Sequence, residues 1–348
     1  MSSLLKSLID KLLQTSILQK EEWMFLLSNR NDEIVAYTFE KARKISEQYY
    51  GKKVFARGLI EFTNYCKNNC FYCGIRCGNR KVERYRLTKE EILTCCRIGN
   101  ELGFRTFVLQ GGEDPFFTDE RILEIITLIK ETYPENALTL SFGERSYASY
   151  LSFKDAGADR YLLRHETANS EHYSQIHPKN LSDILRKQCL LDLKQIGFQT
   201  GTGFMVGSPY QTIENIAEDM LFIADFKPQM LGIGPFIPHK DTPFADFPAG
   251  SVELTLFLLA LSRLLLPHVL LPATTALGTL DLHGREKAVL AGANVLMPNL
   301  SPLHVRKRYM LYNNKIATGL EAAEGVNKLE ESMAAIGYEL VHERGDYC

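Results

Sequence analysis

Eight short apolar runs, rich in β-branched residues, alternate with amphipathic helical segments between residues 54 and 298 of this 348-residue chain. Strands that each return through a helix form either a closed barrel or a doubly wound open sheet. Eight such units over roughly 250 residues match the size of the barrel, so we predict an α/β fold of the (β/α)8 TIM type. The predicted strands are Val54–Phe62, Thr106–Gln110, Ala137–Phe142, Arg160–Arg164, Phe198–Val206, Met230–Ile237, Leu270–Ala276 and Asn294–Pro298.

The segments that flank the barrel read as helical. Apolar residues recur at three- and four-residue spacing in Ser3–Gln14, Lys20–Ser28 and Asp32–Tyr49, and Gly51 follows as a stop signal. No Pro- or Ser-rich linker interrupts the chain after this point. We therefore predict an N-terminal helical cap at 1–50, the barrel at 51–312 and a C-terminal helical extension at 313–348.

Composition excludes two broad classes of protein. With 40 basic and 42 acidic side chains the net charge is −2, so a polybasic nucleic-acid binder is not expected. The most apolar stretch, Leu254–Pro272, contains Arg263, Pro267 and His268, which would be costly in a bilayer. Lys6 falls where a secretion signal needs an unbroken apolar core. We therefore expect a cytoplasmic protein that does not span a membrane.

Three cysteines fall within eight residues, directly after the first predicted strand. Cys66, Cys70 and Cys73 have the spacing CX3CX2C, which can hold three irons of a 4Fe–4S cluster and leave the fourth iron open to a ligand. The alternative is a closed zinc or ferredoxin-like site, because Cys77 lies four residues further on and could supply a fourth thiolate. Spacing alone leaves both possibilities open.

The cysteine motif resembles that of the radical S-adenosylmethionine (SAM) superfamily. The supporting residues are an aromatic residue before the last cysteine, Tyr72, and a GGE tripeptide after the second strand, Gly111-Gly112-Glu113. The resemblance implies one 4Fe–4S cluster whose open iron binds SAM, and cleavage of SAM to a 5′-deoxyadenosyl radical. In such a site the two glycines would let the backbone approach the ligand, and Glu113 would accept a hydrogen bond from the SAM ammonium.

A narrower resemblance extends over roughly residues 54 to 312. Segments such as RGLIEFTNYCKNNCFYCGIR, VLQGGEDP, AGADRYLLRHETAN, GIGPFIPHKDTP and LLPATTALGTLDLHGRE are similar to the HydE family of radical SAM maturases of FeFe-hydrogenase. Biotin synthase and methylornithine synthase share the architecture but fewer of these segments. The resemblance implies that the radical acts on a cysteine-bound iron carbonyl cyanide complex, made by a partner maturase, during assembly of the hydrogenase H-cluster.

The same resemblance implies roles for individual residues. Glu166, Arg186 and Tyr309 would contact SAM. Ile233, between two glycines, is expected in a flat strand edge against the adenine or, equally, in a plain β-bulge. Arg164, at the tip of an apolar strand, would be free to hold a carboxylate of the substrate, since a guanidinium keeps its charge and offers a bidentate fork. The hydroxyl groups that would assist it deeper in the cavity belong to Thr274, Thr275 and Tyr312.

Two departures from the family limit what can be transferred. Some HydE proteins carry further cysteines near the C-terminus for an accessory cluster, whereas this chain has only Cys348 there, so we expect no accessory cluster. Cys95, Cys96 and Cys189 fall in predicted helices and are expected to be small buried side chains.

The predicted activity has two rivals. A radical SAM mutase acting on a small amino acid, in the manner of methylornithine synthase, could use the same site because Arg164 recognises a carboxylate. A non-catalytic zinc or iron–sulfur carrier would instead use Cys77 as a fourth ligand. Under the HydE prediction, the expected partners are a small-molecule or organometallic substrate, a low-potential flavodoxin or ferredoxin as electron donor, and other hydrogenase maturases.

Overall fold

A computed structural model of the protein describes residues 1–316 and 325–347. Its central feature is a parallel sheet of six strands in the order β2-β3-β4-β5-β6-β8. The strands of the described residues are β1 Lys53–Ala56, β2 Gly58–Thr63, β3 Thr106–Gly111, β4 Ala137–Ser141, β5 Arg160–Leu162, β6 Gln199–Thr202, β7 Met205–Val206, β8 Met230–Leu231, β9 Gly234–Pro235, β10 Val295–Leu296 and β11 Glu339–Val341.

The sheet closes on itself through two further extended segments. Residues 270–272 lie beside β8, and the segment that contains β10 returns to β2. Each of these seams is a parallel bridge: Met230 with Leu270, Pro272 with Val295, and Leu59 with Asn299. Eight parallel segments therefore form one ring, and the predicted (β/α)8 TIM-type barrel is confirmed.

Helices surround the barrel, and several of them begin at a residue whose side chain caps the first turn. At the start of α4 the Thr88 side chain accepts from the Glu91 backbone N–H while Glu91 accepts in return from that of Thr88. The helices of the described residues are α1 Ser2–Thr15, α2 Lys20–Ser28, α3 Asp32–Tyr50, α4 Lys89–Glu101, α5 Asp119–Thr132, α6 Tyr147–Asp155, α7 Ser170–Ile176, α8 Asp183–Ile196, α9 Ile213–Phe226, α10 Val252–Leu265, α11 Thr275–Leu280, α12 Gly284–Leu290, α13 Leu303–Arg306 and α14 Val326–Ala335.

The predicted N-terminal cap is helical, and it lies on the flank of the barrel. Helix α2 packs on α9, while α1 and α3 pack on α10. This second layer explains why α10 is buried over nearly its whole circumference and reads as an almost continuous apolar run. Its one arginine, Arg263, donates to the carbonyls of Gly292 and Pro267. Among the described residues there is no helix long and apolar enough to cross a bilayer.

Three of the predicted strands prove to be interrupted. Val54–Phe62 divides at Arg57 into β1 and β2, Phe198–Val206 divides into β6 and β7, and Met230–Ile237 divides into β8 and β9. The second break falls at Gly203, whose φ is 158° and where an added Cβ would lie 2.0 Å from the Gly232 carbonyl oxygen. The two neighbouring strands thus bend together where only glycine fits.

Leu270–Ala276 was predicted as one strand, and this was wrong at its C-terminal end. The segment makes only isolated bridges at Leu270 and Pro272. Thr274 then becomes the residue that precedes α11, and Thr275 is the first residue of that helix. Threonine is common both in strands and at the start of helices. The residue pattern therefore could not show that the strand ends before Thr274.

The C-terminal extension is not purely helical, which corrects the prediction. After α14, strand β11 pairs in parallel with β1, outside the ring. The tail that follows, Arg344–Asp346, crosses the amino end of the barrel. There the fully buried Arg160 donates to the Arg344 and Gly345 carbonyls and to Asp346, and Arg57 donates to the Gly345 carbonyl. The division into 1–50, 51–312 and 313–348 stays a prediction.

Candidate active site

A cavity of about 340 Å³ opens at the carboxyl end of the barrel strands. Loops that follow these strands meet at this end, so side chains distant in sequence converge there. All the site residues predicted from sequence line the cavity except Ile233: Cys66, Cys70, Tyr72, Cys73, Gly111, Gly112, Glu113, Arg164, Glu166, Arg186, Thr274, Thr275, Tyr309 and Tyr312.

The loop after β2 presents three of its four cysteines to the cavity. Cys66, Cys70 and Cys73 are partly buried and line it, whereas Cys77 is exposed and is not among the lining residues. Burial raises the pKa of all three lining thiols, to about 12 at Cys73, where the neighbouring Cys66 adds to the effect. Burial thus favours the protonated thiols, and binding of iron would displace their protons to solvent.

Arg84 holds this loop in shape. Its guanidinium donates to the carbonyls of Asn64, before the cysteines, and of Ile75, Arg76 and Asn79, after them. The bonds to Ile75 and Arg76 are 2.7 Å long. One planar fork thus ties together both ends of the segment that carries the thiols, a geometry that a lysine could not reproduce.

The arrangement of the thiols bears on the choice between a mononuclear metal and a cluster. In the part of the chain that the structure describes, no group of three or more His, Cys, Asp and Glu side chains converges closely enough to bind one ion. A structural zinc site takes four such ligands at about 2.0–2.3 Å, and a catalytic zinc site takes three. A 4Fe–4S cluster takes one cysteine for each iron, so its thiolates stand further apart.

Tyr72 is fixed by a histidine behind it. The Nδ1 of His177 donates to the Tyr173 carbonyl, so its Nε2 accepts from the Tyr72 hydroxyl at 3.0 Å. The imidazole also stacks on the Tyr173 ring, with centroids 3.9 Å apart. Burial and the nearby Arg186 lower the pKa of His177 to about 3, which keeps it neutral. The Tyr72 hydroxyl is therefore held between His177 and the Cys70 thiol, with which it also interacts.

The GGE segment after β3 packs directly on the cysteine loop. A Cβ on Gly112 would lie 2.2 Å from the Tyr65 carbonyl oxygen and 2.7 Å from the Cβ of Cys66. Glycine is therefore needed for contact between two loops, and not only for approach to a ligand. Glu113 follows with a nearly buried carboxylate, which accepts from the Glu144 backbone N–H and lies 3.3 Å from Lys67.

Arg164 and Glu166 carry unused hydrogen-bonding capacity inside the cavity. Their ion pair joins Nη2 of Arg164 to Oε2 of Glu166 at 3.4 Å without a hydrogen bond, and Nε of Arg164, which is also buried, has no hydrogen-bond partner among the described residues. Glu166 also has φ at 66°, a left-handed conformation that is unusual for a residue other than glycine. Buried polar atoms without partners cost free energy, so the pair is suited to a polar ligand.

The guanidinium of Arg186 is already hydrogen-bonded to other groups of the protein, which the sequence did not indicate. Its Nε donates to Glu144 at 2.6 Å and its Nη1 donates to the Arg164 carbonyl at 3.2 Å. Burial opposes its charge, but Glu144 outweighs this and the pKa of Arg186 is raised. The guanidinium is thus held at the cavity wall by the protein itself, next to the Cys70 thiol.

The residues with the predicted hydroxyl groups also line the cavity. The Thr274 Oγ1 is buried and has no hydrogen-bond partner among the described residues. Thr275 follows it at the start of α11, and burial raises the pKa of Tyr312, whose hydroxyl interacts with Thr279 of that helix. Ile233 is placed differently: its side chain is fully buried in the main core, and the neighbouring Gly234 lines the cavity instead. The kink between β8 and β9 turns the isoleucine away.

Sequence analysis missed a charged pair in the cavity floor. Glu61, fully buried on β2, forms an ion pair with Lys315 and accepts from the Asn299 amide at 2.8 Å. Lys315 also donates to the Tyr309 carbonyl. A charged residue inside an otherwise apolar strand, as in GLIEF, was the signal that could have revealed Glu61. Nothing in the sequence pointed to Lys315 as its partner, 254 positions away.

These residues fit a 4Fe–4S cluster and SAM. Three thiols from one loop face the cavity, the chemistry that a site-differentiated cluster requires. The buried and unpartnered atoms of Arg164 and Glu166, with the nearly buried Glu113, supply polar groups for a zwitterionic ligand. Cys348 and residues 317–324 of the predicted extension lie outside the described residues.

Comparison of the sequence with known proteins gives related findings. Residues 60–223 match the family model of the radical SAM superfamily. The chain is 47% identical over 278 residues to the [FeFe] hydrogenase maturase subunit HydE of Thermotoga maritima, covering 80% of this chain and 79% of that protein. It is 31% identical over 301 residues to 3-methylornithine synthase of Methanosarcina barkeri, covering 85% and 83% of the two chains.

Comparison of the fold agrees with these similarities. The crystal structure of methylornithine synthase (PylB) superposes with a TM-score of 0.81 at 26% identity, over 96% of this chain and 97% of that one. The hydrogenase maturase HydG superposes with a TM-score of 0.82 at 20% identity, over 98% of this chain and 77% of that one. At this identity the likeness to HydG concerns the fold alone.

Proposed function

This chain belongs to the radical SAM superfamily, in the HydE group, and on that premise we propose that it matures [FeFe]-hydrogenase by acting on a cysteine-bound iron carbonyl cyanide precursor. The radical SAM enzymes use one 4Fe–4S cluster and SAM. The observation that carries the proposal is the single cavity that joins three thiols to the unpartnered polar atoms of Arg164 and Glu166. A HydE-type enzyme needs both in one chamber.

The residues divide into those for the cofactors and those for the substrate. When bound, the cluster and SAM supply a 5′-deoxyadenosyl radical by one-electron cleavage of the SAM sulfonium. Cys66, Cys70 and Cys73 would hold the irons. The residues that would position SAM are Glu113 for its ammonium, Gly111 and Gly112 beside it, Arg186 and Glu166 for its carboxylate and ribose, and Tyr72 and Tyr309 around it.

Arg164 would hold the substrate. Its Nε and Nη2 make no hydrogen bond among the described residues, although Nη2 is paired with Glu166 at 3.4 Å, and the guanidinium fork matches a carboxylate, such as that of a cysteine ligand. Thr274, Thr275 and Tyr312 would add hydroxyl donors. Fixed polar groups of this kind orient the substrate atom that the radical must reach, and orientation contributes several kcal/mol to such a step.

Radical SAM membership makes the chain an enzyme, so the non-catalytic carrier is set aside. We propose further that it works in the cytoplasm, with other hydrogenase maturases as suppliers and receivers of the metal complex. A low-potential flavodoxin or ferredoxin would serve as electron donor, because 4Fe–4S potentials extend down to about −700 mV.

The test begins with anaerobic reconstitution. We expect about four irons per chain, loss of the cluster in the Cys66→Ala variant, and retention in Cys77→Ala. The reduced protein should then release methionine and 5′-deoxyadenosine from SAM. Binding of a single zinc that Cys77→Ala abolishes would contradict the proposal.

A second arm separates HydE chemistry from that of an amino-acid mutase. The fold similarity to methylornithine synthase over almost the whole chain favours lysine as the rival substrate. We expect substrate-dependent product from the cysteine-bound iron carbonyl cyanide complex and none from lysine. Product from lysine alone would assign the chain to the mutases.

A further inference from the structure

Charge is distributed very unevenly along the chain. The segment from Cys66 to Arg86 contains six basic residues and one acidic residue, a net charge of +5, in a protein whose total is −2. The remaining residues are therefore strongly acidic in sum. The basic segment is the loop that presents the thiols to the cavity.

Part of this positive charge is used inside the loop and part faces outward. Arg84 is occupied by loop carbonyls, and Arg86 pairs with the buried Asp114. Lys67, Arg80 and Lys81 are exposed. Two of these have carboxylate neighbours, Glu113 beside Lys67 and Asp241 beside Lys81.

The outward surface remains positive despite these pairs. The side chains of Lys67 and Lys81 are 55% and 80% exposed, whereas those of Glu113 and Asp241 are only 8% and 11% exposed. The ammonium groups therefore lie on the solvent side of the carboxylates. Glu83, the acidic residue of the loop, is paired with Arg308 at 2.8 Å; its side chain is 69% exposed, so it offsets one of these three positive charges.

A groove of mixed character adjoins the basic loop. Lys67 shares this groove with Tyr147 at the start of α6 and Leu185 at the start of α8, and its other lining residues are Glu144, Arg145, Ser146, Gln188, Cys189 and Asp192. Tyr147 is 42% exposed and Leu185 is 61% exposed. A basic rim beside exposed aromatic and aliphatic side chains has the composition of a transient protein interface.

We propose that Lys67, Arg80 and Lys81, together with the groove of Tyr147 and Leu185, dock an acidic low-potential electron carrier of the flavodoxin or ferredoxin class. The proposal rests on the proposed function, since only a redox enzyme needs such a donor. The carrier would give up one electron, and the protein's cluster would receive it. Lys67 directly follows Cys66, so a carrier seated here stands against the loop that holds the thiols.

The test uses the reconstituted holoprotein and a purified flavodoxin. The double variant Arg80→Glu/Lys81→Glu reverses two outward charges. The matched control, Lys52→Glu/Lys53→Glu, makes the same change of net charge on exposed residues beside β1, at the amino end of the barrel. Affinity is measured by calorimetry at low and high salt, with circular dichroism and iron content to verify the fold.

We expect flavodoxin to bind the Arg80/Lys81 variant about tenfold more weakly at low salt, because rim charges govern encounter. The difference should shrink at high salt, and the control should bind as the wild type does. A Leu185→Gln variant should weaken binding at both salt concentrations. Equal affinity of the two charge variants at low salt would place the docking surface elsewhere.

A kinetic arm distinguishes failure of this inference from failure of the proposed function. SAM cleavage is measured with flavodoxin and, separately, with dithionite, a small reductant that needs no docking surface. The Arg80/Lys81 variant should be slower with flavodoxin only. Equal slowing with both reductants would overturn the docking role, and no cleavage by the wild type with dithionite would overturn the proposed function.

Discussion

Replacing Arg84 should disorganise the loop that carries the thiols while leaving the barrel intact. The guanidinium is half-buried and donates to four backbone carbonyls on both sides of the cysteines. In Arg84→Gln most of these bonds are lost, because an amide offers two donors and reaches less far. The four carbonyls then depend on water or on one another.

The size of the effect follows from the number of bonds and their exposure. A hydrogen bond to a charged group contributes about 1.5–3 kcal/mol when the freed partner stays dry. Here the loop is partly open to water, so we take about 0.5–1 kcal/mol for each bond. Four bonds give about 2–4 kcal/mol, which lowers the population of the ordered loop by about 30-fold to 1000-fold.

Two measurements read loop order without any assay of activity. Amide hydrogen exchange of residues 64–80 in the apoprotein should accelerate in Arg84→Gln, while exchange in β3 and β4 should not change. After reconstitution, iron should be released to a chelator much faster than from the wild type. Arg84→Lys, which keeps the charge but not the planar fork, should be intermediate.

Arg80→Gln provides the matched control, since Arg80 is an exposed arginine in the same loop. It should behave as the wild type in both measurements. If Arg84→Gln exchanged its loop amides and retained iron as the wild type does, the clamp described here would play no part in presenting the thiols.

Three further predictions address other parts of the site. Arg164→Met should keep SAM affinity, measured by calorimetry, but abolish substrate-dependent product; parallel loss of both would assign Arg164 to the cofactor. Lys315→Met should lower the free energy of unfolding by about 3–5 kcal/mol in urea titrations, because Glu61 is left buried without its cation. Adding Glu61→Gln to this variant should recover part of the loss. An unchanged urea midpoint in Lys315→Met would contradict the pairing. Finally, the pKa of His177 is lowered to about 3 in the folded state from an ordinary value of 6.5, so the unfolded chain binds the extra proton. The stability of the protein should therefore fall as the pH drops below about 6.5 towards 3. The melting temperature of His177→Phe should fall less over this range, and identical pH profiles of the two proteins would refute the assignment.

The sequence was sufficient for the architecture because hydrophobic period and helix caps are local properties. Helix α2 has the predicted bounds, and the eight predicted strand positions all lie in the ring. The breaks within strands were not predictable in this way. The bend at Gly203 exists because the Gly232 backbone lies opposite, and contact between two distant strands leaves no periodic signal.

The residues of the site likewise include some that the sequence reveals and some that only the fold reveals. Residues marked by a motif or by a polar side chain at a strand end converge on the cavity, although their roles remain proposals. Lys315 and Arg84 could not be recognised, since each acts through partners that only the fold brings near. The position of Ile233 was not predicted, because its neighbouring glycines suggested a flat strand edge. The kink between β8 and β9 instead turns its side chain into the core.

The tail that crosses the amino end of the barrel bears on how ligands reach the cavity. Arg344, Gly345 and Asp346 are bonded to the buried Arg160 at the amino end, whereas the cavity lies at the carboxyl end. Among the described residues the tail therefore covers the end of the barrel that is opposite to the cavity. Cofactor and substrate would then approach from the same face that carries the cysteine loop.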